Sequence, residues 1–278
     1  MRSGDGGAVL RFSGAGVSDV GRRRSHNEDA AYLAPYVAVV ADGVGGAAAG
    51  EVASATAAYV VAATALARFG APPDIVVREA VAAALTSLRA GVAQDEDRQG
   101  MATTLTCVTT DGTTVALAHV GDSRAYLWRD QTLARITRDH TYVQQLVEDG
   151  TITAEDALAH PWRHVVMRSL HSGAEVPPES VAADVVLLDL APGDRLLLCS
   201  DGVSDLVPQR RIAEVLRLGM PGAAAAVLVQ HALEAGGRDN ATAVVLDVED
   251  GPRVVGTGTA LGSLTDLANI VDPASVHL

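Results

Sequence analysis

Short apolar runs, each broken by glycine, proline or a polar cluster, recur along the chain, and three of them end on an aspartate. They are 37–41 before Asp42-Gly43, 116–120 before Gly121-Asp122-Ser123, and 196–199 before Ser200-Asp201-Gly202. A fourth, 241–246, begins just after Asp239-Asn240. Runs this short, rich in Val and Leu and bounded by Gly, predict buried strands. Residues 8–40 alternate further strand-like pieces with the polar insert 21–29. Helical spacing follows over 51–69, closed by Gly70 and Pro72-Pro73. It resumes over 74–90, with Asp74 in a capping position and Val77, Val81, Leu85 and Leu88 on one face.

Strand pairs are predicted for 103–109 with 113–119, around Asp111-Gly112, and for 124–128 with 132–136. Segment 139–178 is polar and holds His140, His160, His164 and His171, with helical stretches at 142–148 and 154–159. It reads as a mobile insertion over the core. Strands resume at 181–188 and 195–199, helices at 210–216 and 222–235, and a last strand at 242–248. Residues 1–7 read as a short extension. From 249 to 278 Gly, Pro, Ser and Thr replace periodic structure, so a disordered tail is expected. Hairpins with helices bunched between them predict an α+β fold, an antiparallel sandwich with helical flanks, over 8–248.

Composition narrows the function. A formal net charge of −13 and a pI near 4.9 argue against a nucleic-acid partner. The longest uncharged stretch, 52–67, is shorter than the roughly 20 residues a membrane span needs and reads as a buried helix. No secretory signal opens the chain, and Cys107 and Cys199 sit inside apolar runs without metal-ligand spacing, so a cytoplasmic protein with two reduced core thiols is expected. Several strand ends carrying carboxylates suggest one shared acidic site. Carboxylates crowded together repel unless something positive lies among them, and a hard divalent cation with oxygen ligands is the economical neutraliser.

Other readings compete locally. Gly43-Val44-Gly45-Gly46-Ala47-Ala48 matches a dinucleotide fingerprint, but the region about 20 residues on, 62–68, has no Asp or Glu for a ribose. Arg24, Glu28 and Asp29 within six residues read as a solvated ion-paired turn or as an arginine fork for phosphate beside metal ligands. Each motif alone is weak.

Taken together, seven motifs stand in order: Arg24-x-x-Asn27-Glu28-Asp29, Asp42-Gly43-x-Gly45-Gly46, Met101-Ala102-Thr103-Thr104, Val120-Gly121-Asp122-Ser123-Arg124, Thr137-Arg138-Asp139-His140, Ser200-Asp201-Gly202-Val203-x-Asp205 and Asp239-Asn240-x-Thr242. The set resembles the bacterial metal-dependent serine/threonine protein phosphatases of type 2C. The resemblance implies a β-sandwich with helices on both outer faces. It implies hydrolysis of phosphoserine and phosphothreonine on proteins by a water activated at a binuclear Mn²⁺ or Mg²⁺ centre, without a covalent phosphoenzyme. Carried over, Asp42 bridges both cations; Asp201 and Asp239 serve one, and Glu28 or Asp29 with the Gly43 carbonyl serves the other. Arg24 binds phosphate, and Asp122 with Asp201 forms a weaker third cation site. Segment 139–178 corresponds to a mobile flap. Partners implied are phosphorylated proteins, the substrates of serine/threonine kinases, met by a monomer. Val44 stands where some relatives have a histidine suspected of protonating the leaving group, which leaves that proton to water at the metal centre. Ala102 replaces a usual glycine. His164 and His171 are expected to have surface or flap-packing roles. The alternatives are a noncatalytic phosphopeptide-binding regulatory relative and a hydrolase of small phosphate esters.

Overall fold

In the computed structural model, which describes residues 8–44, 49–173 and 181–272, two antiparallel sheets lie against each other. One runs in the order β1 (Val9–Asp19), β12 (Ala241–Gly251), β11 (Arg195–Cys199), β7 (Arg124–Arg129) and β8 (Thr132–Arg135). The other runs β10 (Asp184–Leu188), β6 (Val115–Val120), β5 (Leu105–Thr110), β3 (Val37–Val44), β2 (Asp29–Ala34) and β13 (Thr259–Gly262); β4 (Ala102–Thr103) pairs with β3 and with β9 (Leu170–His171).

The apolar runs are continuous because both faces of the central strands are covered. Ala38 and Val40 of β3, Leu196 and Leu198 of β11, and Val244 and Leu246 of β12 meet between the sheets. Their neighbours Val37, Val39 and Ala41 face α1 (Gly50–Ala67) and α2 (Pro73–Gln94) on one outer side. Leu197, Cys199, Ala243 and Val245 face α6 (Gln209–Leu216) and α7 (Pro221–Glu234) on the other. The result is a four-layer α+β sandwich, as the patterning predicts. Strand alternation with a period of two sends successive side chains into different apolar layers. Helix α1 is apolar and long enough to cross a membrane by length and composition. Here it is a core helix, with Ala53, Ala55, Ala57 and Ala58 fully buried.

Two expectations need correction. Asp74 does not cap α2: Pro72 holds the N-cap position, Pro73 follows at the first helical position, and Asp74 lies in the first turn, where a negative charge suits the helix dipole. The expected tail is ordered through residue 272. Strand β12 continues to Gly251 opposite Val9, and β13 adds an edge to β2, with Leu261 opposite Ala31. Beyond it, Ser263 Oγ bonds Ser54 Oγ at 3.0 Å, and Val271 N–H donates to Thr56 Oγ1 at 3.0 Å. Leu264 and Val271 are buried, which contributes about 1.5–3 kcal/mol each. A four-residue strand and three-residue turns carry no detectable period; this segment is held by α1, some 200 residues away in sequence. The expected extension 1–7, the last residues 273–278 and residues 174–180, which include the end of the polar insertion at 178, lie outside the described residues.

Candidate active site

Each aspartate that bounds an apolar run arrives at the same end of the sandwich. Asp29 opens β2 directly opposite Asp42 at the end of β3. Asp122 occupies the turn between β6 and β7, Asp201 opens the short helix α5 (Asp201–Ser204) straight after β11, and Asp239 immediately precedes β12. Glu28, Asp42, Asp122, Asp201, Asp205 and Asp239 line one pocket of about 450 Å³, with Arg24, Gly43 and Val44. Every predicted site residue is therefore brought together at this pocket except Asp29, which lies fully buried behind it. Gly45 and Gly46 of the same motif lie outside the described residues.

Residues that hold the carboxylates are mostly ones for which the sequence suggests no role. Asn240 accepts the Glu28 N–H at 2.8 Å, and its amide donates to the carbonyls of Val20 and His26 at 2.9 Å, so it staples the loop bearing Arg24 to β12. Thr104 Oγ1 accepts the Asp42 N–H at 3.0 Å, and Thr103 Oγ1 donates to the Asp42 carbonyl at 3.0 Å. Ser200 Oγ donates to Asp29 Oδ2 at 2.7 Å. These threonines, serine and asparagine belong to the seven motifs, yet only tertiary placement reveals what each touches. Gly202 is required sterically, because a Cβ there would lie 1.9 Å from the Asn240 carbonyl oxygen. The missing side chain lets α5 press onto the start of β12, bringing Asp201 beside Asp239. Gly202→Ala is expected to cost about 1–3 kcal/mol in denaturant unfolding and to weaken Mn²⁺ binding roughly tenfold or more, read by calorimetry.

Electrostatics at this end are unbalanced. Burial first, then the neighbouring Asp29, Asp201, Asp122 and Asp239, holds the Asp42 carboxyl well above the usual range. Burial, Asp122 and Asp205 do the same to Asp201. Asp122 is pushed up to about 7, by burial and then Asp139 and Asp205, and Asp29 to about 6, chiefly by burial. Two guanidiniums answer them: Arg24 Nη2 donates to Asp239 Oδ2 at 2.8 Å with Nη1 3.9 Å from Glu28, and Arg124 Nη2 lies 3.8 Å from Asp205 Oδ1. Asp29 Oδ1 is buried with no hydrogen-bond partner. Oxygen-rich, mutually repelling and short of positive charge, this donor set fits a hard divalent cation. Glu28 faces the pocket, whereas Asp29 is buried outside its lining with one oxygen held by Ser200.

One arrangement departs from expectation. Donor atoms of His164, Asp201 and Asp205 lie within 4.8 Å of one another, and His164 Nδ1 is 3.4 Å from Asp205 Oδ2. His164 therefore stands at the pocket mouth, not simply on the surface, and no local signal marks it. Both cysteines are buried away from the pocket, and burial pushes each thiol up to about 12, so neither is a nucleophile.

Comparison with known proteins agrees with this geometry. The family model described as protein phosphatase 2C matches residues 21–235. The serine/threonine protein phosphatase PstP of Mycobacterium tuberculosis is 43% identical over 245 residues, which is 87% of this chain and 46% of that protein. This chain thus spans less than half the length of those mycobacterial relatives. The serine/threonine phosphatase stp of Listeria monocytogenes is 32% identical over 241 residues, 83% of this chain and 93% of that protein. Among solved structures, the catalytic domain of PstP in complex with two manganese ions superposes with a TM-score of 0.75 at 41% identity, covering 87% of this chain and 100% of that one. With the acidic pocket at one end of a helix-flanked sandwich, and a family match over most of its length, this chain belongs to the protein phosphatase 2C family.

Proposed function

We propose that this chain hydrolyses phosphoserine and phosphothreonine monoesters on proteins, as a metal-dependent phosphatase that forms no covalent phosphoenzyme. The observation that carries the reading is the pocket itself: six carboxylates converge on it with three arginines, Arg24, Arg163 and Arg238, and both thiols are buried elsewhere. Asp42 would bridge two cations, Mn²⁺ or Mg²⁺. Asp201 and Asp239 would hold one, Glu28 or Asp29 with the Gly43 carbonyl the other, and Asp122 with Asp201 a weaker third. When bound, such a pair supplies an acidified water as nucleophile and positive charge for the phosphoryl oxygens.

The chain's own residues do the rest. Arg24 is half-exposed at the rim, with its guanidinium tethered to Asp239. That fork would take two nonbridging phosphoryl oxygens and fix the phosphorus for in-line attack. Val44 lines the pocket without a titratable group, so the leaving serine or threonine oxygen takes its proton from elsewhere. The complete carboxylate set supports catalysis over a noncatalytic phosphopeptide-binding role. Its substrates would be products of serine/threonine kinases.

One assay tests the reading: phosphate release from a phosphothreonine peptide and from a small aryl phosphate, with Mn²⁺ and with chelator. Mn²⁺-dependent release that favours the peptide is expected. Release that persists in chelator would refute the metal assignment, and activity confined to the aryl ester would refute the protein substrate.

A further inference from the structure

The Thr137-Arg138-Asp139-His140 motif lies beside the pocket without lining it, and its histidine makes an unusual pair of contacts. The His140 N–H donates to the Gly121 carbonyl at 2.7 Å, and the Gly121 N–H donates back to His140 Nδ1 at 3.1 Å. Backbone and side chain of one buried residue thus grip both polar groups of the residue just before Asp122. Gly121 has φ +109°, and a Cβ on it would lie 2.5 Å from Thr104 Cβ, so Thr104 presses the same turn from the other side. Thr104 also bonds Ser123 Oγ at 2.8 Å. The Asp122 turn is therefore clamped between His140 and Thr104.

The far side of the imidazole faces the root of the insertion. His140 Nε2 lies 3.0 Å from Asp184 Oδ2 on β10, and Asp184 Oδ1 takes Arg168 Nη2 at 2.8 Å. The Met167 N–H donates to the His140 carbonyl at 2.7 Å, and the Tyr142 N–H donates to the Val165 carbonyl at 2.9 Å. Segment 141–167 consequently leaves and returns at His140. Because Nδ1 accepts from Gly121, the ring proton belongs on Nε2, aimed at Asp184. Arg168 Nη1, 3.0 Å from the same Nε2, is a donor and cannot share it. His119 packs on the ring at 4.8 Å between centroids and fixes its plane.

We infer that His140 is a positioning residue that couples the seating of the 141–168 insertion to the placement of the Asp122 carboxylate, and so sets occupancy of the weaker cation site. The inference rests on the reading of Asp122 as a ligand of that site.

The test is a calorimetric Mn²⁺ titration of four single variants, His140→Ala, His140→Asn, His140→Gln and Asp122→Asn, and of the double variant H140A/D122N. Asparagine keeps an acceptor where Nδ1 stands; glutamine reaches Asp184 but not Gly121. His140→Ala is expected to weaken the weakest Mn²⁺ step about tenfold to a hundredfold while the tighter steps persist. His140→Asn should restore most of it and His140→Gln little, and the double variant should be no weaker than Asp122→Asn alone. An unchanged weak step in His140→Ala, rescue by Gln equal to that by Asn, or additive losses would overturn the coupling. If His140→Ala does not fold, the contrast of Asn against Gln decides in the same way. Loss of the tight steps in wild type would instead refute the binuclear reading itself.

Discussion

Asp42→Asn should abolish turnover while making the metal-free protein more stable. The side chain stands where Asp29, Asp201, Asp122 and Asp239 all raise its pKa, after burial itself. Replacing the carboxylate by an amide of the same shape removes one partner of every one of those repulsions. Its backbone is held independently: the N–H by Thr104 Oγ1, the carbonyl by Thr103 Oγ1 and by the Thr104 N–H at 2.8 Å. The fold therefore has no reason to change. We expect turnover of a phosphothreonine peptide to fall roughly 10³-fold or more, since a neutral amide neither bridges cations nor offsets their charge. In chelator, the melting temperature should rise by a few degrees, corresponding to about 1 kcal/mol of relieved repulsion. Near-wild-type activity in a correctly folded Asn variant would end the metal assignment at this position.

The second large effect is a divergence of pH profiles with and without metal. Asp29 is raised to about 6 and Asp122 to about 7 in the folded chain, against about 3.9 for an unfolded aspartate. A carboxyl whose folded pKa is raised favours folding in its protonated form. Its contribution is fully present below about pH 4 and is lost as pH rises through the folded values, by about 1.4 kcal/mol per unit of elevation for an isolated group. Bound cations take the place of those protons, so the loss disappears when the site is filled. The stabilisation conferred by Mn²⁺ over chelator should consequently grow from about pH 5 to about pH 7, the window these two carboxyls cover. Thermal melts in paired buffers measure it, and taking the difference between the two curves cancels groups remote from the site. Parallel curves would mean that the carboxylates are not where the cations bind.

Much of this molecule is legible in its residue order. The paired-face strands announce themselves as uninterrupted Val and Leu runs, and the helices over 142–148 and 154–159 agree with α3 (Tyr142–Glu148) and α4 (Ala154–Ala159) to the residue. Both are opened by a threonine that accepts an N–H from the first turn, Gln144 at 3.3 Å and Asp156 at 3.1 Å, a local device visible in a short window. Most carboxylates of the site are equally visible, because they sit where a strand starts or stops. Their supports are not. Asn240 reaches Glu28 across 212 residues and Ser200 reaches Asp29 across 171; no window contains both partners. His164 joins the pocket for the same reason, and the segment after Gly251 reads as a tail in sequence because its anchor is the distant α1.

The residue sequence alone decided where the central strands and the longer helices form, that aspartates bound the strands, and that acidity would need a cation, since period, propensity and charge are properties of neighbours along the chain. The tertiary structure alone decided which oxygen of Asp29 is left without a partner, that Glu28 faces the pocket, and that Gly202 and Gly121 are compressed against Asn240 and Thr104. Distances between groups remote in sequence exist only once the two sheets close on each other. At this end of the sandwich, differences of an ångström separate a ligand from a bystander.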